Sequence, residues 1–213
     1  MQTESLANKA YAMVEEMIVT LALPPGHVFS EADLSRRIAI GRTPLREALQ
    51  RLAGDRLVVA LPRKGVMVTE INITDHLALL ETRRVLDRLV ATRAARRATP
   101  EQRQTLRACA SAMEQAVADD RIDEFMRLDR DGDALLEAAS RNPFAARATA
   151  SLHAHCRRFW YRYKHESDMT RSAALHSRMM NAVADGDEEA AAAASDELVD
   201  YLEQFARTAL DLF

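Results

Sequence analysis

The sequence predicts a mainly α protein in which three helices and a β-hairpin precede an antiparallel all-α helical bundle. Three observations favour this fold class. Apolar residues recur every three to four positions along most of the chain, which is the period of an amphipathic helix. The 213 residues include only six glycines and six prolines, so few positions interrupt a helix. Charged residues make up 29% of the chain with a net charge of −3, a balance typical of folded globular proteins.

The composition also restricts the cellular setting. No uncharged apolar run approaches the roughly 18 residues that a membrane helix needs. The N-terminus shows neither a basic segment nor a cleavage site of a signal peptide. Two cysteines, Cys109 and Cys156, are too few for a disulfide framework. We therefore expect a cytoplasmic protein with no membrane partner.

The elements before residue 70 are predicted from helix starts and stops. The expected spans are helices at 6–21, 30–38 and 43–54, then hairpin strands at 57–61 and 66–69. The run Pro24-Pro25-Gly26 ends the first helix, and Ser30 caps the second. Thr43 is expected to cap the third helix, with Pro44 at its first position, where a missing N–H costs nothing.

A basic surface is predicted within this first part. The segment from Ser30 to Lys64 contains eight basic and four acidic residues, so it has a local charge of +4 in an acidic chain. Helical spacing turns Arg46 outward and places Arg42 at the entrance of the third helix. Arginines there oppose the helix dipole, at about 0.3–1 kcal/mol each. An external polyanion would offset that cost, and arginine can bind the O6 and N7 atoms of guanine.

A short helix, a tight turn and a second helix, followed by a basic hairpin, form a helix-turn-helix with a wing. The segment from Leu34 to Leu52 and the hairpin at Gly65 resemble the winged helix-turn-helix of GntR-family bacterial repressors. Ala39 and Gly41 replace the usual Gly and Ser of the turn. The resemblance implies a DNA-binding domain over residues 1–70. It also implies two groups of operator contacts, which are Arg42, Thr43 and Arg46 on the helix and Arg63, Lys64 and Gly65 on the wing.

The second part, residues 75–213, is predicted to be a helical bundle. The expected helices span 75–97, 100–118, 121–140, 143–165, 169–185 and 187–210. Thr99-Pro100, Asn142-Pro143 and Gly186 separate them. Short connections join antiparallel neighbours, which is typical of a bundle.

Polar residues interrupt the apolar stripes of three bundle helices. Arg83 and Asp87 form an i,i+4 pair, Asp129 and Asp133 form another, and His176 lies in line with apolar residues. Each alone is more often a satisfied structural group than a ligand. Such groups are costly inside a bundle unless they are paired or liganded, so together they predict a polar pocket. His153 and His155, two positions apart, are expected at the surface or the pocket rim.

The bundle helices are similar to the FCD ligand domain of FadR-like GntR regulators. The similarity lies in the segments 81–87, 138–143 and 176–187. Many members bind a metal through an Asp, a His four residues later and two further His. The matching positions here are Asp129, Asp133, His176 and Leu198. Because Leu198 supplies no donor and Asp133 replaces a His, the resemblance implies a weakly held divalent ion and disfavours tight zinc.

These features predict a transcriptional repressor that binds double-stranded operator DNA as a homodimer. A small organic-acid effector is expected at Arg83, Asp129, Asp133 and His176, because arginine binds carboxylates in a bidentate manner. Two alternatives are a metal-dependent enzyme with the first part as a tether, and an architectural DNA-binding protein without an effector. No nucleophile–base pair is visible, so no catalytic residue is assigned.

Overall fold

The computed structural model describes residues 5–210, apart from the side chains of residues 166, 167 and 210. The helices are α1 (Leu6–Val19), α2 (Glu31–Ile38), α3 (Arg42–Gly54), α4 (Ile73–Arg97), α5 (Pro100–Ala118), α6 (Ile122–Ser140), α7 (Pro143–Tyr163), α8 (Glu166–Asp185) and α9 (Glu188–Leu210). The strands are β1 (Val28–Phe29), β2 (Val58–Leu61) and β3 (Gly65–Val68). The predicted fold class is thereby confirmed. None of the described helices combines the length and apolar character needed to span a membrane.

The chain divides into two compact units. The first unit contains the residues up to Asn72 together with Arg157–Arg162. The second unit contains Ile73–Cys156 and the residues from Tyr163 onward.

In the first unit, the strands form an antiparallel sheet in the order β1-β3-β2. The hairpin β2–β3 is the predicted one, whereas β1 has only two residues and gives no periodic signal. Gly65 begins β3 at a φ of 111°, and a Cβ there would lie 2.4 Å from the carbonyl oxygen of Phe29. Strand β1 can therefore pair this closely with β3 only because residue 65 is glycine.

The helix-turn-helix consists of α2 and α3. The Ser30 hydroxyl accepts the N–H of Asp33 at 3.0 Å, which caps α2 as predicted. Helix α2 ends at Ile38, and its C-cap residue Ala39 has a left-handed φ of 53°. Helix α3 begins at Arg42, after Gly41, which provides no side-chain cap. The prediction that Thr43 caps this helix is wrong, because Thr43 lies within its first turn.

The last turns of α7 belong to the first unit through buried arginines. Arg157 donates to Glu15 Oε1 at 3.1 Å, and both side chains are buried. Arg158 donates to the carbonyl oxygens of Thr69 and Glu70 at 3.0 and 3.2 Å. These charged hydrogen bonds offset part of the desolvation, and burial still lowers the pKa of Arg158 to about 10.

The second unit is the helical bundle. Its fully buried apolar side chains include Leu80, Leu106, Met113, Phe125, Met180 and Leu198. Arg103 on α5 donates to Ala95 O at 2.7 Å and to Val183 O and Ala184 O at 3.1 Å each. This one cation satisfies carbonyl groups at the C-terminal ends of α4 and α8, where positive charge is favourable.

Gly132 brings α6 close to its neighbours in this bundle. A Cβ at this position would lie 3.2 Å from the sulfur of Met180 on α8 and 3.7 Å from that of Cys109 on α5. An alanine here would require the Met180 side chain to shift by a few tenths of an ångström. The glycine lies between Asp129 and Asp133, so the same close approach places these carboxylates in the bundle interior.

Candidate functional site

Helix α3 presents a polar face in the first unit. Arg42, Thr43 and Arg46 are exposed, whereas Leu45 and Leu49 on the opposite side are buried. The orientation predicted from helical spacing is therefore correct. Arg42 makes no ion pair with any described residue. The exposed face of α3 thus keeps a guanidinium available for an external anion.

The wing presents two further cations. Arg63 and Lys64 are exposed in the turn between β2 and β3, and the N–H of Lys64 donates to Leu61 O at 3.0 Å. Arg63 has a left-handed φ of 62°. Neither side chain forms an ion pair with the part of the chain that the structure describes.

Arg46 has a partner that helical periodicity does not predict. Its Nη2 lies 2.8 Å from Oε2 of Glu31 on α2, and its Nε lies 3.2 Å from the same oxygen. The two residues are 15 positions apart, on different helices, and no periodic pattern relates them. The helix-turn-helix geometry alone brings them together.

In the second unit, Arg83 and Asp87 form the predicted i,i+4 pair on α4. Both Nε and Nη2 of Arg83 lie 2.8 Å from Oδ2 of Asp87, and both side chains are buried. The sequence predicts an effector carboxylate at the guanidinium of Arg83. In the structure Asp87 occupies the edge of this guanidinium that is formed by Nε and Nη2.

His153 joins this pair from α7. Its Nε2 is 2.9 Å from Oδ1 of Asp87, and its Nδ1 is 3.1 Å from Oδ2 of Asp133. The Nδ1 atom makes no hydrogen bond within the described residues, because its geometry toward Asp133 is poor. The expectation that His153 lies at the surface or rim is wrong, since only 6% of the residue is exposed.

A second pair lies between α6 and α8. Nε2 of His176 is 2.8 Å from Oδ1 of Asp129, and its Nδ1 lies 2.8 Å from the carbonyl oxygen of Ser172. All these side chains are buried. Together with His153 and Asp133, the two pairs form what we call the polar cluster, namely Arg83, Asp87, Asp129, Asp133, His153 and His176. A further carboxylate that sequence reasoning missed is Glu137, 3.5 Å from Nδ1 of His153.

The charges of the polar cluster stabilise each other. Burial opposes ionisation of Asp87, but Arg83 and His153 hold its pKa at about 2. Burial also opposes protonation of His153, but Asp133 and Asp87 raise its pKa to about 9. The pKa of His176 is raised as well, against its burial, mainly by Asp129. At neutral pH His153 is therefore a cation, and the protonated form of His176 is favoured relative to a free imidazole.

These residues do not fit a metal ion. Within the described part of the chain, no group of three or more His, Cys, Asp or Glu side chains is arranged to hold one. Asp129 pairs with His176, whereas Asp133 faces His153, so the three predicted donors do not converge. Leu198 is buried and aliphatic. Metal binding would also require neutral imidazoles, which the neighbouring carboxylates disfavour.

Two family models match the chain. The model of the FCD domain matches residues 78–201. The model described as bacterial regulatory proteins, gntR family, matches residues 6–68.

Curated relatives match over parts of their length. An uncharacterized HTH-type transcriptional regulator from Agrobacterium vitis is 33% identical over 88 residues, which are 41% of this chain and 52% of that protein. The HTH-type transcriptional repressor RspR of Escherichia coli K12 is 28% identical over 127 residues, which are 60% of this chain and 56% of that protein. The chain thus spans about half the length of these relatives.

Solved structures share the fold over nearly the whole chain. Escherichia coli McbR/YncC superposes with a TM-score of 0.83 at 17% identity, covering 97% of this chain and 99% of that one. A GntR transcriptional regulator from Rhodococcus sp. RHA1 superposes with a TM-score of 0.70 at 21% identity, covering 97% of this chain and 98% of that one. At these identities the likeness concerns the fold alone.

Proposed function

This chain belongs to the GntR family of bacterial regulatory proteins and carries an FCD domain, and we propose that it is a homodimeric repressor controlled by a small carboxylate effector. The matched families and relatives are transcriptional regulators rather than enzymes. GntR-family regulators bind DNA. The protein acts in the cytoplasm, where its operator lies.

The operator is read by Arg42, Thr43 and Arg46 in the major groove. One observation carries this assignment, namely that α3 exposes cations, of which Arg42 has no ion pair within the described residues, in a chain of net charge −3. Arginine donates two hydrogen bonds to guanine O6 and N7, and Thr43 reaches a phosphate. Two copies of α3 in a homodimer would read half-sites about one helical turn apart.

The wing supplies contacts that do not depend on sequence. Arg63 and Lys64 at its tip bind phosphates along the minor groove, and Gly65 allows the close strand pairing that holds the tip in place. Lys64 therefore contributes to affinity and to its salt dependence, whereas Arg42 and Arg46 contribute to specificity.

The effector binds at the polar cluster, through Arg83, Asp129, Asp133 and His176 with His153. Support comes from Nδ1 of His153, a buried donor that makes no hydrogen bond within the described residues, although Oδ2 of Asp133 lies 3.1 Å away. Buried polar atoms without partners are rare and call for an explanation. A carboxylate would accept this hydrogen bond and compete with Asp87 for the guanidinium of Arg83.

Repression is the expected output. A relative of 28% identity is named a transcriptional repressor. The effector changes operator affinity only as far as it binds the two conformations of the protein with different affinities.

Operator binding tests this assignment. Duplexes selected from genomic fragments by the wild-type protein would be titrated with Arg42→Ala, and fluorescence anisotropy would give the dissociation constants. We expect a loss of about 1–3 kcal/mol in specific binding. Arg51→Ala is the matched control, because Arg51 lies on the same helix but donates to Asn8 at 2.8 Å and stacks on Tyr11. Equal losses in both variants would contradict the assignment.

A further inference from the structure

The ion pair between Glu31 and Arg46 joins the two helices of the helix-turn-helix. Glu31 lies in the first turn of α2, and Arg46 lies one turn into α3. Two hydrogen bonds hold the guanidinium, from Nη2 at 2.8 Å and from Nε at 3.2 Å, both to Oε2. Glu31 is thus the acceptor for one complete edge of Arg46.

This pair contributes little to folding stability. The side chain of Arg46 is 62% exposed and that of Glu31 is 33% exposed. Ion pairs at such exposure gain little energy in water, and they lose side-chain entropy when they form. What the pair does provide is a single orientation for a long side chain that would otherwise sample many rotamers.

The orientation leaves the right atoms available. A guanidinium carries five N–H donors in a rigid plane. Glu31 takes the edge formed by Nε and Nη2, so the end formed by Nη1 and Nη2 points away from the carboxylate. That end still offers two parallel N–H groups, which is the pattern that guanine O6 and N7 accept.

We propose that Glu31 is a specificity-determining positioning residue, which holds the guanidinium of Arg46 ready to read one base pair of the operator. This inference rests on the proposed function, in which Arg46 contacts bases. Glu31 itself touches no base. It lowers the entropy that Arg46 loses on binding, because the side chain is ordered before the DNA arrives.

Asp33 provides a matched control. It is also an exposed acid in the first turn of α2, and it pairs with Arg36 rather than with Arg46. Glu31→Gln and Asp33→Asn each remove one negative charge from the same helix end. Both substitutions should therefore strengthen nonspecific DNA binding to a similar extent.

The experiment compares specificity, defined as the ratio of the dissociation constants for nonspecific and operator DNA. Wild type, Glu31→Gln, Asp33→Asn, Arg46→Ala and the double variant Glu31→Gln/Arg46→Ala would be measured by anisotropy. The operator would be the duplex that the wild-type protein selects from a random library. Circular dichroism and thermal melting would check that each variant is folded.

Glu31→Gln should lower specificity about 2- to 12-fold, the cost of ordering one flexible side chain. Arg46→Ala should lower it about 5- to 150-fold. The loss should fall on one base pair, which repeated selection with Glu31→Gln would identify as the base pair that Arg46→Ala also relaxes. In the double variant, Glu31→Gln should have no further effect.

Equal specificity in Glu31→Gln and Asp33→Asn would overturn the inference while leaving the proposed function intact, provided that Arg46→Ala is impaired. Unimpaired specificity in Arg46→Ala would overturn the base-reading role of Arg46 and, with it, the role of Glu31. An additive loss in the double variant would also overturn the inference, because Glu31 would then act on another contact.

Discussion

The two units use the same residue types in opposite ways. In the first unit, Arg42 and Lys64 are exposed and unpaired within the described residues, and the pair of Arg46 with Glu31 lies at the surface. In the second unit, Arg83 and Asp87 are buried and pair with each other, and Asp87 also pairs with His153. A cation at the surface is available to a large polyanion at little desolvation cost. A buried cation can serve only a ligand small enough to enter.

This difference has an energetic consequence. Removing one partner of an exposed pair changes the free energy of unfolding very little, whereas removing one partner of a buried pair leaves an uncompensated charge. The same kind of substitution should therefore have different effects in different places. Substitutions at buried and at exposed ion pairs distinguish these two situations.

Asp87→Ala should lower the free energy of unfolding by about 3–5 kcal/mol, because Arg83 and His153 would both lose their buried counterion. Urea denaturation measures the loss. Asp200→Ala is the matched control, since it breaks the exposed pair of Arg84 with Asp200 and should cost less than about 1 kcal/mol. Similar losses in the two variants would show that burial does not set the strength of these pairs.

The buried cluster should also make stability depend on pH. Asp133 and Asp87 raise the pKa of His153 from 6.5 to about 9 against its burial, so folding favours the protonated ring. The stabilisation is complete below about pH 6.5 and is lost as pH rises through about 9, with a loss of roughly 3 kcal/mol. His176 titrates in the same direction.

Urea denaturation between pH 6 and 10 measures this loss. His153→Gln should reduce the dependence of the unfolding free energy on pH, and the remaining dependence would be due to His176. An unchanged slope in the variant would assign the pH dependence to other groups.

In the helix-turn-helix, backbone strain rather than buried charge lowers the folding stability. Ala39 adopts a left-handed φ of 53°, which disfavours any residue with a Cβ by about 1 kcal/mol. Ala39→Gly should therefore stabilise the first unit by about that amount in thermal melts. Ala108→Gly, in the exposed interior of α5, should instead destabilise the protein by about 1 kcal/mol. If both substitutions changed the melting temperature in the same direction, backbone strain at Ala39 would be contradicted.

Much of the fold was predictable because its signals are local. Pro100, Pro143 and Gly186 separate helices close to where the sequence placed the boundaries. The start of α3 was misplaced, because Gly41 occupies the cap position without a capping side chain and Thr43 appeared to be the better cap. Strand β1 has no local signal, since it exists only as a partner of β3.

The site was predictable only within single helices. The pair of Arg83 with Asp87 follows from i,i+4 spacing. The contacts of His153 with Asp87 and of Arg46 with Glu31 depend on how neighbouring helices are rotated, which no periodicity in one helix determines. His153 did leave one signal, because it shares a buried face of α7 with Thr149, Cys156 and Trp160 at helical spacing.

The smallest expected effect concerns metal ions. Because Asp129 and Asp133 are paired with His176 and His153, chelator should leave the melting temperature almost unchanged, and dialysed protein should hold substoichiometric zinc. Leu198→His adds one donor to residues that do not converge, so it should leave zinc binding substoichiometric. Elemental analysis and thermal melts measure both effects. Stoichiometric, chelator-resistant zinc in the wild-type protein would contradict this account.

In the proposed function, the polar cluster binds a small carboxylate and the exposed cations of the first unit bind DNA. The most direct test titrates the protein–operator complex with small organic acids, each compared with its neutral amide, and follows anisotropy and melting temperature. We expect at least one acid, but not its amide, to raise the melting temperature and to shift the operator dissociation constant about 5-fold or more. If every acid leaves both quantities unchanged while the operator still binds, the carboxylate-controlled account is contradicted.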